Sequence, residues 1–306
     1  MRAIANYTLR GRMQATLVIA LAALLSFTGI LAPLSLISGA ALALVVLRHG
    51  TMQGLTVVAI SALIIGLMSV VLFNDLRVLW VVVLSYWVPV LILAELLRRT
   101  VSLSVTVSVA AALALGYVAL VYLVTGDPAP GWVAQLTPIM QIVMGEPTLQ
   151  TQDVQALIQT LSKVMTGTQA ASELAYTIFA LFIARWWQAI LFNEGGFRKE
   201  FHAFRLAHWL NWPALLILLA MTLSMYNEGG LLGQMAVELG IVILALYVLQ
   251  GVAVVHGVVG LTQSRSMWLV AMYVLMILPQ VVMLVGMVGI VDSWLNFRAR
   301  FAQANG

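Results

Sequence analysis

The chain contains no cysteine and very few charged residues, and both deficits narrow the classes of protein to which it can belong. Without cysteine it forms no disulfide, no thiolate metal site and no cysteine nucleophile. Charged residues make up 8% of its 306 positions, against about 25% in a soluble globular domain, while 62% of the positions are hydrophobic. This composition predicts an integral membrane protein.

The sequence motifs of several enzyme classes are missing as well. There is no GxxxxGK[ST] phosphate loop and no HExxH zinc motif, and the four histidines show no spacing typical of metal ligands. No intramembrane serine with a histidine base and no pair of membrane aspartates indicates a protease. We therefore expect no enzymatic activity, no cofactor and no metal. The net charge of +4 is a signal for membrane topology, and we predict no nucleic-acid partner.

Uncharged apolar runs of about 20 residues recur along the chain, and each is long enough to cross a hydrocarbon layer of about 30 Å as a helix. The predicted fold is all-α, a polytopic transmembrane helical bundle of about 8–9 segments that forms a single membrane domain over residues 1–306. A basic start precedes the first run, but no small-residue cleavage site follows it, which favours a first transmembrane helix over a signal peptide. The predicted segments are 13–31, 34–47, 52–73, 78–97, 101–124, 171–192, 207–226, 231–256 and 267–291.

Lysine and arginine in the connecting segments predict the orientation, because cytoplasmic loops are enriched in these residues. With the N-terminus in the cytoplasm of a bacterial inner membrane, only Arg77 and Lys163 of the loop residues face outside. An odd number of crossings also places Arg298 and Arg300 outside, unless the last segment, broken by Pro279, is re-entrant and returns the tail to the cytoplasm. The basic residues predicted on the cytoplasmic side are Arg2, Arg10, Arg12, Arg48, Arg98, Arg99, Arg198, Lys199, Arg205 and Arg265.

Two further segments are predicted to form helices that do not span the membrane. In the extracytoplasmic loop 126–169, apolar residues between Val154 and Met165 follow helical spacing. This amphipathic helix is expected either on the outer lipid surface or as a lid over an outward-facing cavity. In the segment 193–206, Phe197 and Phe201 share one helical face and charged residues share the other, which predicts a cytoplasmic interfacial helix in the headgroup layer.

Polar groups within the spans are the main functional candidates, because an ionisable group at a helix centre costs about 2.5–3.5 kcal/mol on insertion scales. Glu238 and Gln234 lie one helical turn apart on the same face, and Gln280 follows a proline that leaves a backbone carbonyl unpaired. We expect these three residues to be the polar groups of a ligand cavity. Glu238 would bind a cation, relay a proton or receive a polar ligand; pairing with another helix is the structural alternative.

Two surfaces are candidates for contacts with lipid or protein. Arg185 lies near the cytoplasmic end of its helix, where it either extends to lipid headgroups or anchors an anionic group. Small residues recur at every fourth position of the fifth span, which allows close helix packing and predicts an internal interface or a membrane-protein partner. These small residues are Ser104, Ser108, Ala112 and Gly116. The candidate contact residues around Arg185 are Trp186, Trp187, Gln188, Phe197, Arg198, Lys199, Phe201 and Arg205.

The stretch Ala184–Leu206, ARWWQAILFNEGGFRKEFHAFRL, resembles the hallmark segment of the YybS-like bacterial membrane proteins, which carry the domain of unknown function numbered 2232. Glu194 stands where that family commonly has proline, while the basic N-terminus, the spans and the long loop are similar, so the resemblance covers most of the chain. The matching positions are Arg185, Trp186, Trp187, Gln188, Asn193, Gly195, Gly196, Phe197, Glu200 and Phe201.

The resemblance implies a fold similar to the substrate-capture subunits of energy-coupling-factor importers, and hence a small-molecule-binding or transport component. Likeness of fold is weak evidence for function, so two alternatives stay open. One is a membrane scaffold or assembly partner that uses the small-residue stripe. The other is a lipid-phosphate binding or translocating protein in which Arg185, Arg198, Lys199 and Arg205 hold the phosphate.

Overall fold

The computed structural model describes residues 1–144, 151–226, 229–261 and 267–304, and within these ranges all regular secondary structure is helical. Arg265, one of the basic residues used to predict the orientation, lies outside the described residues. The helices are α1 (Arg2–Leu9), α2 (Arg12–Ser26), α3 (Leu34–His49), α4 (Thr51–Phe73), α5 (Arg77–Thr100), α6 (Leu103–Thr125), α7 (Ala129–Met144), α8 (Gln152–Ser162), α9 (Met165–Phe192), α10 (Gly196–His202), α11 (Asn211–Tyr226), α12 (Gly230–Leu261), α13 (Met267–Leu275), α14 (Pro279–Leu295) and α15 (Phe297–Ala304).

The chain forms two compact units, each assembled from two separate stretches of sequence. Unit 1 contains Met1–Ala110 and Glu173–Phe204, and unit 2 contains Ala111–Ser172 and Arg205–Gly306. Helices α6 and α9 therefore each contribute residues to both units. The single membrane domain expected from the sequence stays a prediction, because two compact units can belong to one embedded domain.

Helix α3 is the core of unit 1. Residues 40–46 of this helix are all at most 2% exposed, and α2, α4 and α5 pack around it. Alanines in this stretch allow neighbouring helices to approach closely. Trp87, in the π-helical segment Val81–Trp87 of α5, donates its indole N–H to Ser38 Oγ at 3.1 Å, and Ser38 donates to the carbonyl of Ile19 at 2.9 Å. These bonds join α5, α3 and α2.

Unit 2 is organised around α12, which contacts α11, α13, α14 and α15. Glycines allow the backbones of α12 and α14 to touch: a Cβ on Gly289 would overlap the carbonyl oxygen of Tyr247, and one on Gly286 would contact Val248. Farther along both helices, Gln250 donates to Ser293 Oγ at 3.1 Å. A Cβ on Gly251 would overlap the carbonyl oxygen of Val285, so the backbones of α12 and α14 approach most closely where residues 247–251 meet residues 285–289.

The predicted segment 267–291 is not one helix. Helices α13 and α14 are bent by 120° at the break before Pro279, which occupies the first position of α14, where its fixed φ suits the helix and its missing N–H is not needed. Tyr273 of α13 contacts His256 at 2.9 Å, and Asp292 of α14 contacts Gln250 at 3.2 Å. Tyr273, close to the break, and Asp292, near the end of α14, thus both lie beside the C-terminal half of α12.

Helices α4, α5, α6, α9 and α12 are long and apolar enough to cross a membrane, and the bent pair α13 and α14 adds a sixth crossing if it counts as one span. Helices α2, α3 and the stretch His208–Ser224 are apolar but shorter. The described residues therefore form a helical protein suited to a membrane, while the prediction of 8–9 crossings stays a prediction. Helix α2 ends at Ser26, five residues before the predicted end at residue 31, since a turn with Gly29 at φ 73° follows.

The long loop 126–169 contains two helices in its described part, where the sequence predicts one. Helix α8 occupies the predicted amphipathic segment, with Val154 and Ile158 buried. It packs against α7, which the sequence analysis did not anticipate. Its apolar face is therefore covered at least partly by protein.

Candidate functional site

Glu238 lies in the third turn of α12, and its side chain is completely buried in unit 2. Its Oε1 accepts a hydrogen bond of 3.1 Å from the backbone N–H of Thr166, in the first turn of α9. First-turn N–H groups have no partner within their own helix and carry partial positive charge. One carboxylate oxygen of Glu238 is thus used to cap α9.

A glycine makes this cap possible. A Cβ on Gly167 would overlap the backbone carbonyl and Cα of Glu238, so only glycine lets the start of α9 lie directly against α12. The adjacent Thr166 N–H then reaches the carboxylate. Sequence analysis identified Glu238 but gave no reason to connect it with Gly167, which is 71 positions earlier in the chain.

The second carboxylate oxygen, Glu238 Oε2, is buried and has no hydrogen-bond partner among the described residues. The hydroxyl of Tyr122, near the C-terminal end of α6, is likewise buried and unpaired. Tyr122 lies close enough for its hydroxyl to interact with the side chains of Glu238 and Gln234, but the hydroxyl and the Glu238 carboxylate do not have the geometry of an ordinary hydrogen bond. A hydroxyl donor and a carboxylate acceptor therefore occur side by side without an ordinary hydrogen bond between them, and each costs about 1–3 kcal/mol if it stays unpaired.

We call Glu238, Tyr122, Gln234 and Asp127 the Glu238 cluster. Asp127 and Gln234, at its edge, connect it with the long loop 126–169. Asp127 Oδ1 accepts the N–H of Ala129 at 3.0 Å, at the start of α7, and lies 3.5 Å from Gln234 Nε2. Trp132 of α7 donates its indole N–H to Thr166 Oγ1 at 2.9 Å. Helix α7 is therefore joined through Thr166 to the residue that holds Glu238.

The structure brings together two of the three predicted cavity residues. Gln234 and Glu238 both adjoin Tyr122, as their shared helical face predicts. Gln280 is exposed in the first turn of α14, and no hydrogen bond within the described residues joins it to Gln234 or Glu238. Tyr122, Asp127 and Thr166 were not identified from the sequence, although Tyr122 and Asp127 flank the predicted outer end of the fifth span.

Arg185 has a protein partner in unit 1. Its Nε and Nη2 atoms donate to the two oxygens of Glu200 at 2.9 and 2.7 Å, and its Nη1 atom donates to Gln188 Oε1 at 2.5 Å. Glu200 belongs to α10, whose aromatic side chains pack on Phe182 of α9. The apolar face predicted to lie in the headgroup layer is therefore used to attach α10 to α9.

A pocket of about 210 Å³ opens beside this ion pair. The end of α9, the following turn and α10 form its walls, so the stretch Ala184–Leu206 folds back on itself around the pocket. The lining residues are Arg185, Gln188, Ala189, Phe192, Asn193, Gly196, Phe197 and Glu200.

The other predicted contact residues have different surroundings. Trp187 is fully buried with its indole N–H unpaired among the described residues, whereas Trp186 is 39% exposed. Arg198 and Lys199 are exposed on α10. In unit 2, Arg205 donates to the backbone carbonyls of Asp292 and Ser293 at 3.1 and 3.2 Å, so part of its hydrogen-bonding capacity is used within the protein.

Asp292 is a buried acid that the sequence analysis missed. Its side chain is 0% exposed and accepts hydrogen bonds from Arg298 at 2.8 Å, Gln250 at 3.2 Å and the N–H of Phe297 at 3.0 Å. Burial lowers the pKa of Arg298, and the charge of Asp292 opposes that shift. Gln250 also accepts the N–H of Leu206 at 3.0 Å, so this network joins the segment before α11 to α12, α14 and α15.

The predicted small-residue stripe of α6 is only partly covered. Ser108 is fully buried, whereas Ala112 and Gly116 are exposed, and the space beside Gly116 is open. Its role as a partner interface stays a prediction.

Among the described residues, no three side chains of histidine, aspartate or glutamate are grouped so as to hold a metal ion. Comparison with family models, curated proteins and solved structures finds no match for this chain. The geometry of its own residues is therefore the basis for any functional assignment.

Proposed function

We propose that this protein is a membrane-embedded binding or transport component for a small polar ligand, and that Glu238 and Tyr122 contact the ligand. The observation that carries the proposal is the completely buried Glu238 carboxylate, one oxygen of which has no hydrogen-bond partner among the described residues. Buried polar atoms in native proteins are nearly always paired, and the exceptions call for an unseen partner or a functional role.

The chemistry of the cluster favours a ligand with a positive charge or several N–H groups. Glu238 and Asp127 contribute two carboxylates, and no lysine or arginine forms an ion pair with either of them within the described chain. The Tyr122 hydroxyl can accept or donate a hydrogen bond. A small organic ammonium ion satisfies both orphaned oxygens, and Gln234 and Asp127 at the rim offer a first contact for it.

Movement of helix α7 would open and close this site. The Trp132–Thr166 hydrogen bond joins α7 to the cap of α9, and that cap holds Glu238. In this proposal α7 acts as the lid, a role that the sequence analysis considered for the amphipathic segment now seen as α8. Ligand entry breaks the Trp132 bond while the Thr166–Glu238 bond persists.

The proposal includes a location and a family. It places the protein in a bacterial inner membrane with the N-terminus in the cytoplasm, so that the Glu238 cluster opens to the outside. The 120° bend between α13 and α14 supports a re-entrant last segment, which adds Arg298 and Arg300 to the ten cytoplasmic basic residues. Membership of the YybS-like family is proposed from the resemblance of the stretch Ala184–Leu206 to that family's segment.

Native mass spectrometry of the full chain, purified from membranes in mild detergent, tests this function. The parent protein is expected to carry a small adduct of constant mass that is absent from Glu238→Gln and reduced in Tyr122→Phe. Glu194→Gln makes the same chemical change at an exposed turn residue in unit 1 and is expected to retain the adduct. Equal adduct occupancy in parent and Glu238→Gln, or a parent with no small adduct, contradicts the proposal.

A further inference from the structure

The pocket beside Arg185 has the size and position of a site for a small polar group. Its volume of about 210 Å³ lies below the roughly 300–1,000 Å³ of pockets that enclose drug-sized ligands. Arg185 and Gln188 line it from α9, and Glu200 lines it from α10. All these residues belong to unit 1, so the pocket is a feature of that unit alone.

Unused hydrogen-bond donors dominate this pocket. A guanidinium carries five N–H groups, and Arg185 uses three of them, two for Glu200 and one for Gln188. Two N–H groups of Arg185 therefore remain. The side-chain amides of Gln188 and Asn193 each add two N–H groups, and neither amide donates a hydrogen bond within the described residues. A ligand rich in acceptor atoms, such as a phosphate, matches this set of donors.

The Arg185–Glu200 pair also determines the preferred charge of the ligand. The pair has no net charge, and a free phosphate dianion that reached the donors of Arg185 would be repelled by Glu200. A ligand that carries both a phosphate and an ammonium group avoids this repulsion, because its ammonium can lie against Glu200. Charge-assisted hydrogen bonds of this kind are about twice as strong as neutral ones.

The surroundings of the pocket match a lipid better than a soluble compound. Phe192 ends α9, one of the helices long enough to cross a membrane, and forms an apolar wall of the pocket together with Ala189. The guanidinium of Arg48 lies 4.4 Å from the centre of the Phe192 ring, and Arg198 and Lys199 are exposed on α10. Basic and aromatic residues of this kind are typical of the border between hydrocarbon and headgroups. Acyl chains can extend from this pocket along the apolar surface of α9.

We propose that this pocket binds the headgroup of a phospholipid that carries a primary ammonium, of the phosphoethanolamine class. Arg185, Gln188 and Asn193 donate to the phosphate, and Glu200 accepts from the ammonium. The site is distinct from the Glu238 cluster, and its existence does not depend on the ligand proposed there.

Lipid retention by the full-length protein in native mass spectrometry provides the test. Phosphatidylethanolamine, phosphatidylcholine and phosphatidylglycerol are offered separately at equal concentration. The second lipid has a quaternary ammonium without N–H groups, and the third has no ammonium. Phosphatidylethanolamine is expected to bind about tenfold more tightly than either, which corresponds to about one charge-assisted hydrogen bond. Equal retention of the three lipids overturns the proposal.

Variants of Gln188 and Asn193 keep the Arg185–Glu200 ion pair, so that a loss of lipid binding can be distinguished from a loss of folding. Gln188→Leu and Asn193→Ala are each expected to weaken phosphatidylethanolamine binding about tenfold. Gln159→Leu, at an exposed position of α8 in unit 2, is the matched control and is expected to bind like the parent. If a variant has a lower melting temperature, Asn193→Asp replaces it, because this change keeps the side-chain shape and repels phosphate. Unchanged retention in the amide variants overturns the proposal.

Soluble O-phosphoethanolamine and inorganic phosphate distinguish the source of the headgroup. Neither is expected to displace phosphatidylethanolamine at millimolar concentration, because both lack acyl chains. Displacement of the lipid by O-phosphoethanolamine at millimolar concentration overturns the assignment to a lipid.

Discussion

Replacing Asp292 with asparagine removes the only carboxylate in the buried network at the end of α14, as far as the structure describes it. The Asp292 side chain is fully buried, and that of its partner Arg298 is 9% exposed. Arg205 Nε lies 3.8 Å from the same carboxylate. The variant therefore removes a negative charge from beside one buried cation, Arg298, and one half-buried cation, Arg205, while the size of the side chain stays nearly the same.

The expected loss of stability in Asp292→Asn follows from the burial of the ion pair that it breaks. Breaking a buried ion pair by removing one partner costs about 3–5 kcal/mol, because the remaining charge stays desolvated. Asparagine keeps the shape and an acceptor oxygen for the N–H of Phe297, so we expect the lower end, about 3 kcal/mol. Unit 2 has the size of a domain of 150–250 residues, for which 1 kcal/mol corresponds to about 2–4 °C, and the expected decrease in melting temperature is about 6–12 °C.

The assay is thermal unfolding of the purified protein in one detergent, followed by tryptophan fluorescence. Asp75→Asn is the matched control, because Asp75 pairs with Arg77 at 3.1 Å on the surface, where the two side chains are 43% and 90% exposed. We expect no measurable shift for it, since exposed ion pairs contribute little. Equal melting temperatures for Asp292→Asn and Asp75→Asn would refute the view that the Asp292 network stabilises unit 2.

Two further predictions concern helix contacts, and a third concerns the orientation in the membrane. Gly289→Ala is expected to lower stability by about 1–3 kcal/mol, because its methyl group overlaps a backbone carbonyl of α12; thermal unfolding checks this. Gly167→Ala is expected to move α9 away from Glu238 and to abolish the small adduct, as Glu238→Gln does, which native mass spectrometry detects. Tags at Arg98 and at the C-terminus are expected to be labelled from one side of sealed vesicles and a tag at Lys163 from the other; labelling of Arg98 and Lys163 from the same side contradicts the proposed orientation.

Features encoded in nearby residues were predictable from the sequence. The apolar runs predict the helical membrane fold because hydropathy reports on solvent directly, and Pro279 predicts the break between α13 and α14 because a proline terminates a helix through its own ring. Glu238 and Gln234 were identified together because residues four apart share a helical face. In each case the physical cause lies within one helix.

Features that depend on distant contacts were not predictable. Asp292 was missed because the predicted span ended at residue 291, one position before this acid, and nothing in the sequence connected it with its partners Gln250 and Arg205. Arg298, six positions later, was the one signal in the sequence that an acid and a base meet there. The partner of Arg185 was also missed, because the pairing with Glu200 requires the turn between α9 and α10 to fold back.

The two buried acids Asp292 and Glu238 of unit 2 differ in whether all their oxygen atoms accept hydrogen bonds. Asp292 has all its polar atoms paired, and such a network stabilises the packing of the helices that it joins. Glu238 caps α9 with one oxygen and leaves the other beside an unpaired tyrosine hydroxyl, an arrangement that lowers stability unless a ligand completes it. Gln250 and Glu238 are 12 residues apart on α12, or about 18 Å along the helix axis. Helix α12 is therefore fixed towards its C-terminal end by the Asp292 network, in which every polar atom is paired. Towards its N-terminal end it presents the Glu238 site, in which one oxygen is not paired within the described residues. The Glu238 site can thus change its contacts while the C-terminal half of unit 2 stays in place.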